Sequence, residues 1–143
     1  MIILVYLRKL TIKIICKINL FYQFFLKETW NLSLFHSQEK KYKYLIDSGA
    51  SDIIINSEIE NHLINNGQLL PENYVGQKSY EIANGDIITL KFANLPYIEL
   101  NNNKFYNIDI AIGDKNSSLL MGMSFLNRFD WKINQDNLIL NVK

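Results

Sequence analysis

A single cysteine, Cys16, and two histidines, His36 and His62, stand among the 143 residues. One thiol cannot form an internal disulfide, and two imidazoles make no zinc constellation, so a disulfide scaffold and a metal centre both drop out, and no cofactor is expected. Excess charge is missing as well. The formal net charge is +1, which gives no general attraction for nucleic acid, although Arg8, Lys9, Lys13, Lys17 and Lys27 crowd the first stretch. No uninterrupted apolar run reaches the roughly 20 residues that a membrane-spanning helix needs. Repeats, linkers and low-complexity tracts are also lacking. What is present is apolar surface: 48% of residues are hydrophobic and 13% aromatic, enough to offset the entropy of ordering a chain of one-domain length.

Residues 1–28, "MIILVYLRKLTIKIICKINLFYQFFLKE", form an extension to a domain expected over residues 29–143. Lys9, Lys13 and Lys17 recur every four residues, which on a helix aligns them on one face, as in a basic amphipathic segment lying at a membrane surface. The β-branched richness fits a strand packed on the domain equally well, or a leader, although no small-residue cleavage site follows. Both a cytoplasmic and a membrane-associated location stay open on this stretch.

From Trp30 onward, short apolar segments alternate with turn-rich clusters. "NLSLF", "HSQEKK" and "YKYLID" read as strand, turn and strand, and "DIIIN" resumes as a strand after "SGAS". Ser57 and Glu60 have capping-box spacing and Gly67 fits a stop, which predicts a short helix near 58–66. "SYEIANGDIITLKF" carries a hairpin signal, with Asn84 and Gly85 expected to supply left-handed backbone at its turn. A second hairpin turns on Asn101 to Asn103, a short helix is expected in "MSFLNRF", and a last hairpin turns near Gln135 to Asn137. The pattern is mostly β with two short helices. His36 and His62 read as surface residues, and Trp30 and Trp131 as packing residues.

Asp47, Ser48 and Gly49 are the sharpest chemical feature. A carboxylate at a strand end, beside a glycine that lets a substrate backbone come close and between apolar strands, is placed for acid–base work. The same tripeptide also forms ordinary turns by hydrogen-bonding its own backbone, and alone it reads more readily that way.

Three ordered motifs change the balance. "YLIDSGASDIII", then "YEIANGDIITL", then "LLMGMSFLNRFDWKINQDNLIL" together resemble the active-site loop, flap hairpin and C-terminal segment of retropepsin-like aspartic proteases, over roughly residues 30 to 143. The resemblance implies an acid-protease closed barrel with one or two short helices, active as a two-fold homodimer on polypeptide substrates. It implies Asp47 as the catalytic carboxylate and Ser48 as a hydroxyl that cross-links two active-site loops. Gly49 then offers its carbonyl to substrate, and Ala50 keeps the loop narrow. Ala83, Asn84, Gly85 and Asp86 would form the flap tip, with Leu120, Met121 and Gly122 supporting the loop from beneath. Ser48 stands where the family more often has Thr, which keeps the hydroxyl and loses the stiffening β-branch.

Hydrolysis of this kind needs two carboxylates close enough to share a proton. Asp52, Asp86, Asp109, Asp114, Asp130 and Asp136 all lack the Ser-Gly sequel of Asp47, so a second copy of the chain is expected to bring the second acid. The pair should titrate as a coupled unit and favour acid to mildly acid conditions. The rival reading is the same fold kept as a catalytically weak or inactive dimerisation or peptide-binding module, gripping an extended segment by β-addition.

Overall fold

In the computed structural model the described residues are 13–17, 19–20, 28–32, 42–100, 103–134 and 137–142. Along the chain run β1 (Lys13–Lys17), β2 (Asn19–Leu20), β3 (Glu28–Leu32), β4 (Tyr42–Ile46), β5 (Ile53–Ile55) and helix α1 (Ser57–Asn65). After a single 3₁₀ turn at Pro71–Asn73 come β6 (Tyr74–Glu81), β7 (Ile87–Leu100), β8 (Asn103–Ile112) and β9 (Leu120–Met121). Helix α2 (Met123–Leu126), β10 (Phe129–Asn134) and β11 (Asn137–Val142) complete the order.

Two sheets form. The larger runs β2-β3-β4-β9-β5-β8-β7-β6, and the smaller β1-β11-β10. Neither closes among the described residues, so the mostly β architecture expected is present and the closed barrel is not seen among them. At the ends of the larger one β6 pairs with β7 and β2 pairs with β3, and among the described residues neither has a second partner strand. The predicted first hairpin pairs earlier than expected, with Leu32 opposite Tyr42 and Thr29 opposite Leu45. Its "HSQEKK" turn lies outside the described residues. Lys13–Lys17 is extended and pairs antiparallel with β11, so Lys13 and Lys17 do not share a helical face; Lys9 lies outside the described residues. Among the described residues no helix is long and apolar enough to cross a membrane.

The central feature is how β9 sits. It lies parallel to β4, Leu45 opposite Leu120, and antiparallel to β5, Ile54 opposite Leu120. The chain therefore leaves β4, loops over residues 47–52, and returns as β5 on the far side of β9. Apolar side chains from all layers meet below this loop: Tyr44, Ile53, Ile55, Ile110, Met121, Phe125 and Leu126 are buried. Phe105, Phe125 and Phe129 pack as an aromatic cluster with ring centroids 5.1–5.5 Å apart, edge-on in the two pairs with Phe105 and tilted between Phe125 and Phe129, contacts that add to simple burial.

Helix α1 forms where the spacing predicted, yet its cap is Asn56. That residue is extended, and its side-chain oxygen accepts from the Ile59 backbone N–H at 3.0 Å, leaving Ser57 as the first helical residue. Glu60 does not reach back to close a capping box: it lies on the face of Ile59 and Leu63 and is buried with them. Gly67 ends the element at φ +67°, the left-handed stop expected of it.

Candidate active site

The loop after β4 is built by hydrogen bonds to its own backbone and to β9. The Asp47 backbone N–H donates to the Met121 carbonyl at 3.1 Å, which continues the β4–β9 pairing to the acid itself. Its Oδ1 accepts from the Gly49 N–H at 2.8 Å, and the Ala50 N–H closes a turn on the Asp47 carbonyl at 3.2 Å. The turn reading of the tripeptide is thus true as far as it goes. Oδ2 accepts no hydrogen bond among the described residues, and the carboxylate faces an open cleft of about 760 Å³. Ser48 and Gly49 are exposed. The Ser48 hydroxyl has no partner among the described residues, so it is available to another molecule.

Beneath the loop, Gly122 has no room for a side chain. A Cβ there would lie 2.3 Å from the Asp52 carbonyl oxygen and 2.6 Å from that of Ala50. The next two residues open α2, and their N–H groups, which a helix start leaves unpaired, donate to the loop: Met123 to the Ala50 carbonyl and Ser124 to the Ser51 carbonyl, both at 2.8 Å. Leu120 lines the cleft, while Met121 is fully buried. Of the three residues expected beneath the loop, Leu120 pairs with Leu45 and Ile54, Met121 is buried, and Gly122 approaches the loop backbone closely.

The β6–β7 hairpin roofs the cleft. Tyr80, Glu81, Ile82, Ala83 and Ile88 line it opposite Asp47, Gly49, Ala50 and Ile54. At the tip the Gly85 N–H donates to the Ile82 carbonyl at 2.8 Å, and Gly85 has φ +86°. Among the described residues the only non-glycine with positive φ is Asn107, which corrects the expectation for Asn84. Its job is different: the Asn84 side chain accepts from the Asp86 N–H at 3.0 Å and donates to the Asp86 carboxylate at 2.6 Å. One left-handed residue suffices because the tip is a five-residue loop, 82–86, and not a two-residue turn.

Two buried carboxylates that sequence reasoning passed over tie this hairpin to the body. Asp52 Oδ2 accepts from Lys78 Nζ at 2.5 Å and from the Tyr80 hydroxyl at 2.9 Å. Glu60 accepts from the Tyr74 hydroxyl at 2.7 Å and from Lys91 Nζ at 2.5 and 2.6 Å. Burial, reinforced by the hydrogen bond to each carboxylate, pushes both tyrosine hydroxyls well above their ordinary range, so they remain donors. A signal was present for Glu60, an acid on the apolar stripe of a helix. For Asp52 it was weaker: one acid opening the run "DIII".

Asp52 is also the nearest acid in sequence to Asp47, and its bonds direct it to the hairpin. It is buried and takes two donors from β6, whereas Asp47 opens to the cleft.

The comparisons with known proteins agree with this geometry. The family model described as "gag-polyprotein putative aspartyl protease" matches residues 35–128, a span that includes the Asp47 loop, the hairpin and Gly122. Comparison with curated proteins gives no match. Among solved structures, the chain is similar to a retropepsin-like aspartic protease from Rickettsia conorii, with 26% identity, a TM-score of 0.58, and coverage of 91% of this chain and 90% of that one. The order of loop, hairpin and supporting glycine, the threading of β9 between the loop's two strands, and both matches lead to one conclusion: the chain belongs to the retropepsin-like aspartyl protease family.

Proposed function

We propose that the protein is an aspartic endopeptidase that hydrolyses polypeptides with a water activated between two Asp47 carboxylates, one from each chain of a homodimer. The observation that carries this reading is the setting of Asp47. Its carboxylate is fixed by the Gly49 N–H, opens to a cleft roofed by a hairpin, and among the described residues has no second acid of its own chain in the cleft lining other than Glu81 on the roof.

Two carboxylates brought together cannot both ionise, so one holds a proton while the other acts as base toward water. The protonated member polarises the peptide carbonyl, and the pair exchanges roles as the amine leaves. In this reading Ser48 ties the two loops across the two-fold axis, and Gly49 and Ala50 leave the space that an extended substrate backbone occupies. Ala83 to Asp86 close over the substrate and exclude water. The exposed apolar residues of the hairpin, Ile82 at 40% and Ile87 at 73%, would be covered by substrate and by the second flap.

The test is incubation of the full chain with an unfolded protein mixture across pH 4 to 7, with and without a peptide inhibitor carrying a hydroxyl in place of the scissile carbonyl. Cleavage strongest at the acid end and blocked by the inhibitor is expected. Tight inhibitor binding without any cleavage would instead favour the peptide-binding module.

A further inference from the structure

The hairpin over the cleft is weakly rooted. β6 is a sheet edge whose residues 75–79 and 81 are exposed, so little apolar burial holds it, and such elements open locally at low cost. Its polar ties to the body are therefore the contacts that decide where it rests. One of them, the Glu60 cluster with Tyr74 and Lys91, sits at the root of the hairpin. The other is closer to the tip and joins the hairpin directly to the loop that carries Asp47.

We infer that Asp52 is the latch of the flap: a positioning residue that, by holding Tyr80 and Lys78, sets the resting height of the hairpin above Asp47. The inference deepens the protease reading and rests on it for its functional meaning. Three features support it. Asp52 is buried, its side chain 6% exposed, and a buried carboxylate stripped of its donors is costly, so it pulls on whatever holds them. Its two close donors come from one face of one strand, two residues apart, and meet the same oxygen, Oδ2, which the neighbouring Ser51 hydroxyl reaches at 3.5 Å. They therefore let go together when the strand lifts. Finally, Tyr80 lines the cleft while its hydroxyl is bonded to Asp52, so the latch fixes a wall of the substrate path. Lys78 adds to the grip by lying over the Tyr80 and Phe92 rings, 5.5 and 5.1 Å from their centroids.

Asp52 touches no reacting atom in this scheme and acts only through Tyr80 and Lys78. Its effect should appear in access to the cleft, not in the chemical step. The experiment is amide hydrogen exchange on the full chain without substrate, for wild type, Asp52→Asn, Tyr80→Phe and Lys78→Met. Exchange over residues 79–90 is expected to quicken about ten-fold in Asp52→Asn and Tyr80→Phe, the scale of one lost charge-assisted hydrogen bond, while β5 and β8 keep wild-type rates. On a cleavable peptide the same variants should raise KM several-fold and leave kcat within about two-fold. Should Asp52→Asn fail to fold, Tyr80→Phe carries the same comparison, since it removes one oxygen and keeps the ring. Unchanged flap exchange in Tyr80→Phe and Lys78→Met overturns the latch even if the wild type is an active protease. Quickened exchange in the variants, with a wild type that cleaves nothing, upholds the latch and removes the protease reading.

Discussion

An Asp47→Asn protein is expected to fold, to bind extended peptides and to cleave none of them, with turnover reduced by a factor on the order of 10²–10⁴ or below detection. The substitution keeps the shape of the side chain. Its amide oxygen can still accept from the Gly49 N–H, the bond that holds the loop at 2.8 Å, so stability and dimer formation should change little. What is lost is the capacity to take and return a proton, because an amide does neither near neutral pH. The measurements are kcat on a fluorogenic peptide and inhibitor affinity for both proteins. Undiminished turnover in the purified variant would remove Asp47 from the chemistry.

Gly122→Ala is expected to damage stability and activity together. The added methyl would meet three backbone atoms, the Asp52 and Ala50 carbonyl oxygens at 2.3 and 2.6 Å and the Asp52 carbonyl carbon at 2.8 Å. No flexible side chain can yield there, so the loop itself must move. Overpacking of this kind costs about 1–3 kcal/mol, read as a lower urea midpoint at unchanged slope. The loop shift also stretches the Met123 and Ser124 hydrogen bonds to the Ala50 and Ser51 carbonyls, so kcat should fall even where the variant is fully folded. Gly85→Ala is the control: a Cβ at Gly85 meets nothing within 4 Å, and its left-handed backbone alone should cost only about 1 kcal/mol. A loss of stability no larger in Gly122→Ala than in Gly85→Ala would contradict the close approach of Gly122 to the loop.

Much of this architecture was legible because its signals are local. "ANGD" between alternating segments marks a hairpin, and Gly67 after an apolar stripe marks a helix stop, each within a few residues of chain. The setting of Asp47 required three such signals in order, since "DSG" alone is a common turn. Non-local features left no comparable trace. That β9 threads between β4 and β5, with Leu45 and Ile54 both against Leu120, depends on pairings some seventy residues apart. Whether a sheet closes depends on its edge strands, and those of the larger sheet, β2 and β6, lie far apart in sequence. The misread details have a shared cause. Ser57 and Asn56 can both cap, and geometry selects the one whose oxygen reaches the Ile59 N–H. Glu60, freed from the cap, is drawn inward by Tyr74 and Lys91 from the distant hairpin. Long polar ties between a helix or loop and a strand carry no sequence period, and Asp52 with Tyr80 and Lys78 is the same case.

The proposed mechanism requires two chains to share one active site, and mixing tests that requirement most directly. Wild-type protein at fixed concentration, equilibrated with increasing Asp47→Asn protein under conditions where both are dimeric, forms mixed dimers holding a single Asp47. Peptide cleavage should fall in proportion to the wild-type fraction, to about half at equal amounts and about a tenth at nine-fold excess, the statistics of random two-fold pairing. Cleavage that stays constant at every excess of Asp47→Asn protein would mean that one chain is sufficient, and would contradict the shared pair.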